Sequence, residues 1–291
     1  MNTRRDFIRS LATLPLALAA SAGGAPAETE DGFGMLYDAV RCIGCRSCEA
    51  ACNTENGLPK PALPYDDASV FNNHRKTDDK RLTVVNRYPS GTAGADAVYR
   101  KEQCMHCKKA ACVSACLVSA FSRTVEGAVV WDSGKCIGCR YCMAACPFQM
   151  IKYEFDEPLR PMLRKCTFCH PRLMNGQPPA CAAACPADAI TFGKREALLN
   201  EAHARIIATP GQYDAHVYGE KEIGGTSKLY LTGVPADKLR LQPLTEKPVP
   251  EITEKIQHSV FKYFAPPLAL FATLAAIMRL TKPNDGKGDK S

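Results

Sequence analysis

Apolar and polar positions alternate in "GAVVWD", from Gly127 to Asp132, and again in "AITFG" after Cys185, the period-2 pattern of short half-buried strands. A further strand is predicted near "LTVV", Leu82 to Val85, inside a polar insertion over residues 53–103 that includes "NHRKTDDKR" and "YPSGTAGAD". The insertion reads as a surface elaboration or a docking face. Two longer apolar runs mark the ends of the chain. The first, Leu11 to Ala20, follows Arg4 and Arg5 and precedes Ala25-Pro26-Ala27, so residues 1–27 have the charged start, apolar centre and small-residue cleavage site of an export signal.

The second run, Tyr263 to Met278, carries sixteen residues without a charge. As a helix it covers about 24 Å at about 1.5 Å per residue, short of the roughly 30 Å hydrocarbon core of a bilayer. Extension to Val260 and Leu280 lengthens it, with Lys262 and Arg279 close enough to the ends to snorkel. Pro266 and Pro267 suit a helix entry, and Arg279, Lys282, Lys287 and Lys290 give the basic flank of a cytoplasmic end. A single transmembrane helix is predicted over 257–280, with a polar tail over 281–291; a buried or interfacial helix would carry the same pattern.

Between these ends lies a body over 28–250, and it contains all sixteen cysteines of the 291-residue chain. They form four quartets with none left over: Cys42, Cys45, Cys48 and Cys52; Cys104, Cys107, Cys112 and Cys116; Cys136, Cys139, Cys142 and Cys146; Cys166, Cys169, Cys181 and Cys185. The first and third follow C-x2-C-x2-C-x3-C, the spacing of bacterial ferredoxins, in which three sulfurs grip one 4Fe-4S cluster and the fourth serves its neighbour. The second and fourth carry a longer middle loop and similar tails, "ACVSAC" and "ACAAAC". The alternation reads as a duplicated ferredoxin module, an α+β fold of tandem bacterial-ferredoxin-like domains with four 4Fe-4S clusters. Pro147 and Pro186 follow the third and fourth quartets, whereas Asn53 and Leu117 stand after the other two and imply altered loops.

Disulfides are the ordinary use of many cysteines in an exported chain, but such frameworks belong to short domains without a core. Zinc ribbons also use C-x2-C pairs, yet they take two separated pairs, not a dense trio with a remote fourth. The net charge of +7 falls to +5 once residues 1–27, with three Arg and one Asp, are set aside. Four thiolates on an oxidised cubane leave about −2 per site, so the loaded body is near neutral. Arg41, Arg46, Lys108, Lys109, Lys135, Arg140, Arg164 and Lys165, all beside quartets, are read as counter-charges, and no basic-aromatic interleaving suggests nucleic acid.

No nucleophile, catalytic base or open metal site is evident, so electron transfer alone is expected, with the chemistry in a partner. His106 and His170 adjoin cysteines but are surplus to four complete quartets; His74, His203, His216 and His258 look unremarkable. Phe121, Trp131, Phe148, Tyr153 and Phe155 read as packing around the quartets. Sequence spacing leaves open which quartets cooperate.

The order "TRRDFI" resembles a twin-arginine signal, a route that carries proteins already folded around cofactors. With it, "GMLYDAVRCIGCRSCEAAC", "QCMHC" followed by "KKAACVSAC", "CIGCRYCMAACPF", "VYGEKEIGGTSKLYLTGVP" and the C-terminal apolar run resemble the four-cluster ferredoxin-like subunits of periplasmic oxidoreductases. The nearest likeness is to the HybA-type iron-sulfur subunits of membrane-bound nickel-iron hydrogenases. That resemblance implies nested ligation: Cys42, Cys45, Cys48 with Cys185; Cys166, Cys169, Cys181 with Cys52; Cys104, Cys107, Cys112 with Cys146; Cys136, Cys139, Cys142 with Cys116. It implies a catalytic hydrogenase partner, an integral membrane quinone-reactive partner, and a place on the periplasmic face of the cytoplasmic membrane. The beta subunit of a molybdenum or tungsten enzyme such as formate dehydrogenase is the alternative, and a zinc-stabilised structural protein the more distant one.

Overall fold

The computed structural model describes residues 32–90, 97–157, 159 and 161–281. The export signal expected over 1–27, and all but the first residue of the expected tail, lie outside them.

Strand β1 (Phe33–Asp38) leads into the first quartet. Its backbone is the centre of a three-stranded sheet, paired antiparallel to β8 (Ile190–Lys194) from Phe33↔Lys194 to Tyr37↔Ile190, and parallel to β9 (Lys228–Leu231) from Met35↔Lys228 to Asp38↔Leu231. A central strand covered on both faces is apolar at nearly every position. Leu36 packs with Leu229 and Leu231 against Leu198 and Ala202 of α6 (Arg195–Ala208), while Met35, Tyr37 and Tyr230 face the opposite way, into a core shared with Cys48, Phe168 and Cys181. The period-2 alternation of β1 therefore separates a conventional helix-on-sheet layer from a cysteine-lined one.

Between β1 and β8 run α1 (Ser47–Glu55), a 3-10 turn (Ala68–Asn72), the hairpin β2 (Val84–Tyr88) and β3 (Val98–Glu102), α2 (Ala111–Ser114), β4 (Phe121–Arg123), β5 (Val129–Trp131), α3 (Tyr141–Ala145), β6 (Lys152–Tyr153), β7 (Leu163–Arg164), α4 (His170–Met174) and α5 (Ala180–Ala183). The three strands predicted by alternation appear as β2, β5 and β8. The hairpin, however, is more than a surface elaboration: Leu82, Thr83, Val84, Val85, Asn86 and Tyr88 are all buried. Glu49 of α1 explains why, since its carboxylate accepts from the Val85 amide at 2.6 Å and from Arg75 at 2.7 and 3.0 Å, binding α1 into the insertion.

The last helix, α7 (Pro250–Thr281), contains the predicted transmembrane segment 257–280. Among the described residues no helix is long and apolar enough to cross a membrane. The uncharged stretch of α7 runs from Tyr263 to Met278. Its apolar side chains Leu268, Leu270, Phe271, Leu274 and Ile277 are nonetheless exposed.

Candidate metal centres

Each C-x2-C loop turns through the left-handed region two residues after its first cysteine: Gly44 (φ 72°), His106 (φ 48°), Gly138 (φ 70°) and Phe168 (φ 60°). The turn brings amides toward sulfur. Gly138 N–H donates to the Cys136 sulfur at 3.4 Å and Phe168 N–H to the Cys166 sulfur at 3.4 Å. Glycine relieves the strain in the two compact quartets; at Gly44 a side chain would also strike the Tyr99 ring. In the other two quartets His106 and Phe168 carry that strain, and their rings pack 5.0 Å apart.

The third cysteine of every quartet (Cys48, Cys112, Cys142, Cys181) occupies the second position of a short helix, and the fourth follows four residues later. One helical turn carries the fourth sulfur about 5 to 6 Å along the axis, away from the trio and toward a neighbouring group. After the fourth cysteine comes another left-handed residue in three quartets, Ser119, Gln149 and Asp188; after Cys52 the helix runs on to Glu55 instead. Asn53, where proline stands in two other quartets, permits that continuation by supplying a backbone N–H.

Helix packing decides which quartets meet. α1 packs on α5, and α2 on α3, so the first quartet joins the fourth and the second joins the third. Cys42, Cys45, Cys48 and Cys185 line one cavity, and Cys104, Cys107, Cys112 and Cys146 another. Burial, and then the charge of Cys166, Cys181 and Cys169 (offset in part by Lys101), pushes the Cys52 thiol well up; Cys142 is pushed up to about 11 by burial and by Cys136, Cys139 and Cys116. All sixteen thiols are free. Among the described residues no three of His, Cys, Asp and Glu converge tightly enough for a single metal ion; the sulfurs stand around cavities.

The four groups also have an order. Burial raises Cys48, which then feels Cys181; Cys104 feels Cys166; Cys112, pushed up to about 12, feels Cys142. These electrostatic neighbours run in the order of the Cys42 group, the Cys166 group, the Cys104 group and the Cys136 group. Cys45 and Cys139, in the two end groups, are exposed. Cys116 alone has its thiol lowered: burial acts against this, but the backbone amides of Phe121, Ala120, Val118 and Ser119 outweigh it.

Four of the eight basic residues expected as counter-charges find carboxylates instead. Arg41 pairs with Asp38, Arg46 with Glu49, Lys135 with Asp132 and Arg164 with Glu154. Arg140 lies over Tyr153 and the exposed Phe155, whereas Phe121 and Phe148 are buried as expected. The cations enclosed with sulfur are Lys165, which donates to the Val129 and Cys166 carbonyls, and two that sequence reasoning missed, Lys101 and Lys228. Lys101 is fully buried, donates to Thr83 and Gln103, and holds its proton tightly: burial opposes its charge, but Cys181, Cys48, Cys166 and Cys52 overcome this. Lys228 lies 3.4 Å from the Phe168 ring centre and is lowered to about 8 by burial despite Cys166 and Cys181. Neither is next to a quartet in the sequence, so no local signal marks them.

His106 is fully buried; its Nδ1 accepts from the Val129 amide at 2.9 Å, which leaves the proton on Nε2, a buried atom without a partner in the fold. His170 pairs with Glu126 at 3.6 Å. Sixteen free thiols in four groups, cavities bounded by four sulfurs each, buried ammonium groups and amides directed at sulfur together fit iron-sulfur clusters, which carry negative charge and accept hydrogen bonds at sulfur.

These features define an iron-sulfur protein of the ferredoxin-like class, and residues 95–195 match the family described as a 4Fe-4S dicluster domain. The hydrogenase-2 operon protein HybA of Escherichia coli O157:H7 is 35% identical over 320 residues, covering 97% of this chain and 96% of its own. The chain belongs to the HybA-type family of iron-sulfur electron-transfer subunits. A protein of Nitratidesulfovibrio vulgaris is 48% identical over 246 residues, covering 84% of this chain but only 66% of its own length, just under two thirds. The formate dehydrogenase-O iron-sulfur subunit of Escherichia coli is 32% identical over 278 residues, covering 94% of this chain and 89% of its own.

Proposed function

We propose that this chain relays electrons through four 4Fe-4S clusters between a periplasmic nickel-iron hydrogenase and a membrane-embedded, quinone-reactive subunit, without a catalytic site of its own. The observation that carries the reading is the serial order of the four cysteine groups. Cys42, Cys45, Cys48 and Cys185 would hold the cluster at one end, followed by Cys166, Cys169, Cys181 and Cys52. Cys104, Cys107, Cys112 and Cys146 would hold the third, and Cys136, Cys139, Cys142 and Cys116 the fourth. When bound, such clusters accept and release single electrons. The chain's own residues would bring neighbouring groups together through the packing of α1 on α5 and α2 on α3 and set their potentials by burial, charge and hydrogen bonding.

Both ends of this order reach the surface beside exposed apolar side chains, Ile43 at one and Leu117, Ile137 and Tyr141 at the other. That suits two partners in series. The exposed apolar face of α7 supports attachment to an integral membrane subunit, and the twin-arginine-like start supports export to the periplasm in the folded state. The relation to formate dehydrogenase subunits favours a second reading, in which the donor is a molybdenum or tungsten enzyme.

Metal analysis of the native complex, gently solubilised and purified through this chain, separates the readings. About sixteen irons per chain are expected from four cubanes, with nickel present. Molybdenum or tungsten without nickel would assign the same relay to the other enzyme class, and about eight irons would refute the four-cluster arrangement.

A further inference from the structure

Next to the Cys104 cavity, with Met105, Phe148 and Met150 shared between the two, is a cavity of about 260 Å³ whose lining contains none of the sixteen cysteines. Lys76, Arg100, Lys152 and Arg240 line it, with Glu102 as the only carboxylate among its lining residues and His74 beside it. Glu102 is already committed, accepting from Arg100 Nη2 and lying 3.7 Å from His74. Among the described residues Lys76, Lys152 and Arg240 make no ion pair, although each is part of this wall. Arg100 is 6% exposed, its Nη1 donates to the Leu239 carbonyl, and its Nε, buried, has no partner. Burial, and then the Lys76 ammonium, lowers Lys152.

We propose that this cavity binds a phosphate dianion carried on a small apolar body. Four cations approaching from different elements (the loop before β2, β3, β6 and the turn after Leu239) suit a multiply charged tetrahedral oxyanion, and the unsatisfied Nε supplies one donor within a buried setting. Phosphate alone would leave much of the space unfilled; Phe148, Met150, Tyr218 and Leu241 furnish an apolar wall for the attached group. Met105, Phe148 and Met150 line this cavity on one side and the Cys104 cavity on the other, so the bound charge would sit behind a single layer of side chains from the third sulfur group. The site stands on residues outside the quartets and does not depend on how many clusters the chain holds.

The test is calorimetric titration of the full iron-loaded chain with phenyl phosphate, alongside inorganic phosphate and flotation with phosphatidylcholine vesicles with and without phosphatidic acid. Saturable phenyl phosphate binding is expected, tighter than inorganic phosphate and weakened about tenfold or more by Lys152→Gln or Arg240→Gln, since hydrogen bonds to charged groups are worth about 1.5–3 kcal/mol. Both are rim positions, and unchanged iron content and visible absorption would show an intact fold. Capture by phosphatidic acid vesicles, lost in the same variants, would identify the source as a lipid headgroup; binding of phenyl phosphate without such capture would identify a soluble ester. Absence of saturable phenyl phosphate binding, or binding that both variants leave unchanged, overturns the proposal.

Discussion

Lys101 is enclosed without a carboxylate, and its ammonium is balanced by sulfur from two groups: Cys48 of the first, and Cys52, Cys166 and Cys181 of the second. A positive charge between two centres makes the addition of an electron to either more favourable. Lys101→Met keeps the length of the side chain and removes the charge. Loss of about 1.4 kcal/mol of interaction corresponds to about 59 mV in a one-electron couple, so downward shifts of that order are expected in the two clusters of the Cys42 and Cys166 groups. Redox titration followed by electron paramagnetic resonance would show them, with the other two potentials unmoved; equal shifts in all four would mean that the lysine acts through general loosening of the fold.

At the scale of elements, α1 carries two cysteines that face different groups, Cys48 and Cys52, and its orientation is fixed from the side by Glu49. That carboxylate is 3% exposed and holds Arg75, Arg46 and the Val85 amide. Removing one member of a buried ionic network leaves the others desolvated and costs about 3–5 kcal/mol. Glu49→Ala is therefore expected to lower the melting temperature by on the order of 10 °C at about 2–4 °C per kcal/mol for a chain of this size, measurable by circular dichroism. A drop of a degree or two would show that hairpin β2–β3 is held by its apolar residues alone. This dependence could not be read from the chain, because the pair Glu49 and Arg75 joins a cysteine-rich segment to a stretch whose composition reads as solvent-facing. The quartets were legible because C-x2-C loops are local; so were β5 and β8, whose alternation is set by adjacent residues. The pairing of α1 with α5 joins segments more than a hundred residues apart, and Lys101 and Lys228 are enclosed with sulfurs of quartets distant in sequence, so neither leaves a mark on neighbouring positions.

Across the whole molecule, two of the three apolar clusters among the described residues differ in what fills them. Leu36, Leu198, Ala202, Leu229 and Leu231 make a layer without cysteine, whereas the larger core includes Cys48 and Cys181 among Met35, Tyr37, Phe168 and Tyr230. The second cannot close by hydrophobic contact alone around its cavities, and ligation energy there is folding energy. Removal of iron with a strong chelator under reducing conditions is expected to release amide-exchange protection over residues 42–52 and 166–185, while β1, β9 and α6 exchange more slowly. Hydrogen exchange read by mass spectrometry checks this, and uniform loss across both layers would show that the sheet layer has no independent stability.

The packing of α1 against α5 sets a schedule for biosynthesis. A growing chain that has emerged as far as Cys146 already holds every sulfur of the second and third quartets, so the half of the proposed relay made of the Cys104 and Cys136 groups can take up iron while the rest is still being made. In the proposed pairing the Cys42 group must wait for Cys185, and Cys52 for Cys166, Cys169 and Cys181. The earliest cysteines to leave the ribosome are thus among the last to be protected. For that interval they depend on a reducing compartment, and passage into an oxidising one before residue 185 has docked would leave one end of the proposed relay, the Cys42 and Cys166 groups, unfinished.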